Sequence, residues 1–122
     1  MITAKDTRQP MEITYRTDAA LTAPAVADLF HSSGIRRPVD DLDRIQRMLD
    51  NASLTLTAWD GEKLVGIARA LTDFSYCSYL SDLAVRAEYQ RKGIGKELLA
   101  RLRAILGDEV MLLLLSAPNA MR

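Results

Sequence analysis

The sequence predicts an α/β protein of the α+β type, in which helices flank one mixed, mostly antiparallel sheet. Apolar residues recur with a helical period in some segments and alternate with polar residues in others. Asp60-Gly61 joins two alternating segments, which indicates an antiparallel hairpin. Residues 79–115 have a strand–helix–strand order, which is typical of a parallel unit with a right-handed crossover. The hairpin and the crossover together require a sheet with both kinds of pairing.

The first half of the chain predicts one strand and two helices. Met11–Thr17 alternates apolar and polar side chains, as a half-buried strand does. Thr22 is a suitable N-cap for a helix that Gly34 would end. A second helix is expected to begin at Asp40 or Asp41, where carboxylates face the positive end of the helix dipole.

The second half of the sequence predicts a strand at residues 54–59, two further strands, a helix and a last strand. Lys63–Leu71 returns from the hairpin, and Gly66 within it suggests a bulge or a close backbone approach. A further strand is expected at Tyr76–Arg86, and Gly93–Leu106 carries a helical apolar stripe. Val110–Leu115 is apolar throughout, which predicts a central strand covered on both faces.

The alternation within residues 76–86 divides the side chains of that strand between two faces. Tyr79 and Ser81 would share one face with Leu83, and Leu80 and Asp82 would lie on the other. A bulge would shift this phase.

Composition excludes several classes of protein. The 16 basic and 16 acidic residues give a net charge of zero, so we expect no nucleic-acid partner and no binding to an anionic membrane surface. Cys77 has no second cysteine for an intramolecular disulfide, and with His31 alone it cannot build a Cys-rich zinc site, so no metal is expected. No apolar run approaches the ~20 residues of a membrane span. We therefore expect a cytoplasmic protein with a loose tail at residues 1–10 and one domain at 11–122.

The chemistry-bearing segment follows the strand at residues 76–86. Two glycines, Gly93 and Gly95, stand at a helix start although each costs about 1 kcal/mol relative to alanine within a helix. Without Cβ atoms, the free N–H groups of a helix start are accessible to an anion, so the pattern predicts a phosphate or pyrophosphate. A Walker loop would need glycine at Gln90, and a dinucleotide fingerprint would need it at Leu98. Close packing of helix on sheet is the remaining alternative for the glycine pair.

Residues 81–99, SDLAVRAEYQRKGIGKELL, resemble the acetyl-CoA-binding motif of the GCN5-related N-acetyltransferase (GNAT) family. The motif, Gln/Arg-x-x-Gly-x-Gly/Ala, falls on residues 90–95. The order of elements over residues 11–122 is similar to the family's acyl-CoA N-acyltransferase fold, without its final helix and strand pair.

The resemblance implies acetyl-CoA as co-substrate and a site for each part of it. The pantetheine arm would pair with the backbone of Leu83, Ala84 and Val85, and Asn119 would bond the cofactor arm. The pyrophosphate would be held by the segment made of Gln90, Arg91, Lys92, Gly93, Ile94, Gly95 and Lys96.

The implied reaction transfers an acetyl group to a primary amine of a small molecule or peptide by direct attack in a ternary complex. Asp82 is the nearest carboxylate for a general base, with a surface or turn-stabilising role as the alternative, and Tyr79 could face the slot. Arg36 and Arg37 lie in the loop that borders the family's acceptor site, which suggests an anionic group on the acceptor.

The chain stops at Arg122, before the tyrosine that usually serves the family as general acid. A catalytically impaired module that binds acyl-CoA and serves regulation is therefore the alternative function, and an unrelated packing domain is a third. The open sheet edge beside Val110–Leu115 favours a homodimer.

Overall fold

The computed structural model describes residues 12–114. The predicted tail, Asn119 and the end of the last strand lie outside these residues. The described part contains five strands and three helices, with a single 3-10 turn at Ala87–Tyr89. In chain order they are β1 Ile13–Arg16, α1 Ala23–Ser33, α2 Leu42–Asp50, β2 Leu54–Asp60, β3 Lys63–Thr72, β4 Cys77–Val85, α3 Ile94–Leu106 and β5 Met111–Leu114.

The strands form one sheet in the order β1-β2-β3-β4-β5. The first four are antiparallel to their neighbours, whereas β5 pairs with β4 in parallel after the α3 crossover. The predicted mixed, mostly antiparallel sheet is confirmed.

Local signals determine where α1 and α2 begin and end. The side chain of Thr22 accepts a hydrogen bond from the N–H of Ala25 at 3.3 Å, and Gly34 ends α1 in the left-handed conformation with φ +86°. Asp41 caps α2 by accepting from the N–H of Arg44 at 3.1 Å. Each cap satisfies a backbone group that a helix end leaves without an intrahelical partner.

Each face of the sheet has its own apolar core. The α3 face is built on Leu98, Leu102 and the small side chains that β2 and β3 direct toward them. The opposite face packs against α1 and α2 through Phe30, Ile45 and Ile67. The candidate site lies where the α3 face, β4 and the end of α1 meet.

Two bulges interrupt the strands. Val65 has no opposite residue in β2, directly before Gly66, where the sequence predicted a bulge or a close approach. Ser81 has no opposite residue in β3, because Asp82 pairs with Arg69 and Leu80 pairs with Ala70. The alternation predicted for β4 was conditional on the absence of a bulge, and the bulge at Ser81 shifts its phase. Leu80 and Leu83 both pack in the α3-side core, and Asp82 turns to the other face.

The last strand also differs from its prediction. Val110 is buried, but Met111, Leu113 and Leu114 are each about half exposed, with relative accessibilities of 54%, 51% and 47%. Within residues 12–114, β5 is the outermost strand beside β4, so its side chains meet solvent there. In the described residues it is an edge strand and not a central one.

Candidate functional site

The first turn of α3 contains backbone N–H groups that have no intrahelical partner. The first intrahelical bond runs from the N–H of Glu97 to the carbonyl of Gly93 at 3.0 Å. The amides of Ile94, Gly95 and Lys96 therefore precede the helical ladder, and no side chain of the described residues caps this helix. We call these three amides the amide cradle.

The backbone before the cradle takes a conformation that glycine favours. Gly93 has φ +88° at the N-cap position, where a Cβ would be strained. Arg91 also has a positive φ, +65°, which is uncommon for a residue with a side chain. Such strained conformations occur often at ligand-binding loops.

Gly95 is a small residue for a reason other than packing. A Cβ built on it would approach only Val85 Cγ2, at an ordinary 3.8 Å. Close helix–sheet packing therefore explains Gly66, where a Cβ would stand 3.2 Å from Leu98 Cδ1, but does not explain Gly95. Access of a ligand to the amide cradle remains as the physical reason.

Three basic residues lie within or next to the cradle in the sequence. Arg91, Lys92 and Lys96 are exposed. The positive end of the α3 dipole lies at the same helix start and adds to their positive charge. Backbone donors together with these side chains make an anion site that suits a pyrophosphate.

Beside the cradle, one edge of β4 has no neighbouring strand after Leu80 among residues 12–114. Parallel pairing with β5 ends at Leu80 and Leu114 in the described residues. The N–H of Arg86 donates to Val65 in β3 at 2.8 Å, so the alternation of the antiparallel ladder directs Ala84 to β3 and Leu83 and Val85 away from it.

Part of this edge already has a partner. The side-chain amide of Gln90 donates to the carbonyl of Val85 at 2.8 Å and to that of Ser33 at 3.2 Å. The predicted cofactor residue Gln90 therefore closes the end of the β4 edge and ties it to α1. Within residues 12–114 no strand pairs with the N–H and C=O of Leu83 or with the N–H of Val85, and these groups are suited to an extended ligand.

The loop that connects β4 to the cradle is held by side chains. The N–H of Ala87 donates to Ser32 Oγ at 3.0 Å, and the hydroxyl of Tyr89 donates to Asp60 Oδ2 at 2.5 Å. This hydrogen bond to Asp60 raises the pKa of Tyr89, since it is made by the protonated phenol. The loop is thus fixed before any ligand arrives.

The two residues predicted for catalysis lie on the face of α1 and α2. Asp82 is fully buried, and its two oxygens accept from the Nε atoms of Arg37, at 2.5 Å, and of Arg69. This geometry favours a structural ion pair over a free general base. Tyr79 is partly buried and pairs across the sheet with Leu71 and Leu113.

The sequence reasoning missed the partnership of Arg37 and Arg69 with Asp82. One signal was present: Asp82 is the one charged residue of β4, and Arg69 is a charge within the apolar stretch of β3 that follows Lys63. Arg36, the other arginine predicted for the acceptor side, is exposed, and its carbonyl accepts from Arg37 at 2.6 Å.

In residues 12–114 no cluster of His, Cys, Asp and Glu side chains could hold a metal ion. None of the helices in that range has the length and apolarity to cross a membrane.

Comparison with known proteins agrees with this geometry. The profile described as "Acetyltransferase (GNAT) family" matches residues 23–120. An uncharacterized ycf52-like N-acetyltransferase from Prochlorococcus marinus is 32% identical over 78 residues, which cover 61% of this chain and 42% of that protein. The match thus spans less than half of this relative's length.

Solved structures show the same fold. A GNAT-family acetyltransferase from Streptococcus pneumoniae superposes with a TM-score of 0.69 at 23% identity, over 88% of this chain and 80% of that one. A GNAT-family N-acetyltransferase from Escherichia coli, solved in complex with CoA, has a TM-score of 0.65 at 18% identity, over 82% of this chain and 59% of that one.

Proposed function

The chain belongs to the acetyltransferase (GNAT) family, and we propose that it is an acetyl-CoA-dependent N-acetyltransferase. The acceptor would be a primary amine of a small molecule or peptide, which attacks directly in a ternary complex. The observation that carries this proposal is the uncapped amide cradle of α3 beside the edge of β4 at Leu83, which has no neighbouring strand among residues 12–114.

The residues fit the parts of acetyl-CoA in order along the site. The cradle, with Arg91, Lys92 and Lys96 around it, suits the pyrophosphate. Leu83 and Val85 offer backbone groups to the amides of a pantetheine arm, as a neighbouring strand would. Asn119 is proposed for the same arm from the family motif alone, since it lies outside the described residues.

The reacting end would lie near Leu83, the first edge-directed residue after the bulge at Ser81. Acetyl-CoA, when bound, supplies a thioester whose carbonyl carbon a neutral amine can attack. The N–H of Leu83 is then suited to donate to the carbonyl oxygen as negative charge develops there. A backbone donor of this kind needs no reorganisation during the reaction.

The described site contains no free carboxylate that could accept the proton of the amine. Both oxygens of Asp82 accept from arginines, so we propose that water takes this proton. Tyr79 would line the acceptor side. A module that binds acetyl-CoA without turnover is the alternative, and the engagement of Asp82 is the observation that favours it.

A binding measurement and a turnover measurement separate these outcomes. Acetyl-CoA at ~100 times its Kd should stabilise the fold by about 2.7 kcal/mol in a thermal shift assay. Adenosine and free phosphate at equal concentration are the controls. Release of free thiol with a panel of amines would support the enzyme, and a shift without thiol release would support the module. A cooperatively folded sample that shows no shift would refute both.

A further inference from the structure

Three charged side chains lie close together next to the bulge of β4. The carboxylate of Asp82 lies between Arg37, from the loop that joins α1 and α2, and Arg69 from β3. The Asp82 side chain has 0% exposure, and those of Arg37 and Arg69 have 25% and 9%. We call these three residues the arginine clamp.

The clamp holds the bulged residue itself. Arg37 Nη2 donates to the carbonyl of Ser81 at 2.7 Å, and Arg69 Nη2 donates to Ser81 Oγ at 3.0 Å. Ser81 has no opposite residue in β3, so these two bonds supply contacts that the sheet does not. A bulge of this kind re-aims the strand that follows it.

Arg37 comes from a loop, whereas the other two members of the clamp lie in strands. It reaches the clamp from a loop, 45 positions away from Asp82 in sequence, and its third nitrogen donates to the carbonyl of Arg36 at 2.6 Å. Arg69 by contrast lies in the strand that already pairs with Asp82. Arg37 is therefore the member through which the loop beside the acceptor side contacts β4.

We propose that Arg37 is a positioning residue, which sets the direction of the β4 backbone from Ser81 to Leu83. It would act through Asp82 and the Ser81 carbonyl, without touching the substrate. The role in acetyl transfer rests on the proposed function, whereas the effect on β4 does not. Misplacement of a reacting group by an ångström can cost about 100-fold in rate, so small changes in this backbone matter.

Amide hydrogen exchange of the full chain without ligand tests the effect on β4. Arg37→Ala should raise exchange at Asp82 and Ala84, which face β3, by about tenfold or more, while β2 amides keep their rates. Asp82 keeps Arg69 as a partner in this variant, and Arg37→Lys serves in its place if the alanine variant does not fold. Arg36→Ala, in the same loop, is the matched control. Unchanged exchange at Asp82 and Ala84, or a uniform rise across all strands, would overturn the proposal.

Thiol release from acetyl-CoA with an amine of the panel tests the role in transfer. Arg37→Ala should lower kcat by about 100-fold and leave KM for acetyl-CoA within a few-fold, because the cradle is untouched. Arg37→Lys should recover part of the loss. If kcat falls only in proportion to the fraction of protein that is folded, the role of Arg37 in acetyl transfer is overturned. Wild-type protein that neither binds nor turns over acetyl-CoA would defeat the proposed function, and the exchange result would still decide whether Arg37 holds β4.

Discussion

Gly66 of β3 lies directly beneath Leu98 of α3, so that a Cβ built on Gly66 would stand 3.2 Å from Leu98 Cδ1. The same Cβ would come within 3.3 Å of Ala58 Cβ and of Ile94 Cγ2. Ile94 is the first residue of α3, whose first turn carries the amide cradle. The absence of a side chain at Gly66 thus sets how closely the cradle approaches the sheet.

Gly66→Ala should destabilise the protein by about 1–3 kcal/mol, the usual cost of overpacking a core. The methyl of Ala58 cannot move without its strand, so the side chains of Leu98 and Ile94 must shift by a few tenths of an ångström. Urea unfolding measures the change in the free energy of unfolding. Gly95→Ala is the matched control because its new methyl meets only Val85, at 3.8 Å. Equal stabilities of the two variants would contradict this account of Gly66.

Substitutions at Gly95 should separate stability from binding. Leucine favours the helix over glycine by up to about 1 kcal/mol, so Gly95→Leu should unfold no more easily than the wild type. Its side chain would extend beside Val85, between the cradle and the β4 edge, and acetyl-CoA affinity should fall by about tenfold or more, which corresponds to 1.4 kcal/mol. Calorimetric titration measures the affinity, and Gly95→Ala, which adds one methyl only, should lose less affinity than Gly95→Leu does. Full affinity in the leucine variant would count against the cradle as the pyrophosphate site.

The elements that could be predicted from sequence are those with local signals. The Thr22 cap, the Gly34 stop and the Asp60-Gly61 turn each depend on residues a few positions apart, and each is found in the structure. The helix start at residues 93–96 is predicted for the same reason. Glycine conformations and helix amides are properties of a short segment.

The phase of β4 could not be predicted because it depends on pairing between strands. The sequence of residues 76–86 does not mark where the phase changes, and the bulge at Ser81 exists only through the register with Arg69 and Ala70. The clamp was missed for the same reason, since Arg37 and Asp82 meet across 45 positions. A local pattern contains no information on which distant charge will reach a buried carboxylate.

Removal of the charge of Asp82 should be among the most damaging single changes. Asp82→Asn leaves two largely buried guanidinium groups without a carboxylate, and breaking a buried pair in this way costs about 3–5 kcal/mol. Thermal and urea unfolding measure the loss. A cost below about 1 kcal/mol, the value for a surface pair, would show that the clamp is more hydrated than its burial indicates.

Replacement of the whole clamp should be far less harmful than replacement of Asp82 alone. With Asp82→Leu, Arg37→Met and Arg69→Met combined, no charge remains to be desolvated, and such exchanges are often neutral or stabilising. The free energy of unfolding should return close to that of the wild type. If the triple variant unfolds as easily as Asp82→Asn, the cost comes from lost packing at the bulge and not from unpaired charge.

Acid should weaken the turn between β3 and β4 through Asp73. Its Oδ1 accepts from the N–H groups of Tyr76 at 2.8 Å, Ser75 at 2.9 Å and Cys77 at 3.1 Å, and these bonds, the one from Tyr76 foremost, hold the pKa of Asp73 below the usual 3.8. Because the folded pKa is lower than the unfolded one, the carboxylate contributes stability above pH 3.8, and this contribution disappears as the pH falls through the folded pKa.

Asp73→Asn keeps an acceptor oxygen but cannot titrate, so the variant should be less stable than the wild type at neutral pH. The gap in Tm between the two proteins should close as the pH falls below 3.8, where the wild type takes up the proton. Thermal unfolding across this range measures the gap, and Asp108→Asn, at an exposed position between α3 and β5, is the matched control. A gap that stays constant with pH would mean that the turn depends on the shape of the Asp73 side chain and not on its charge.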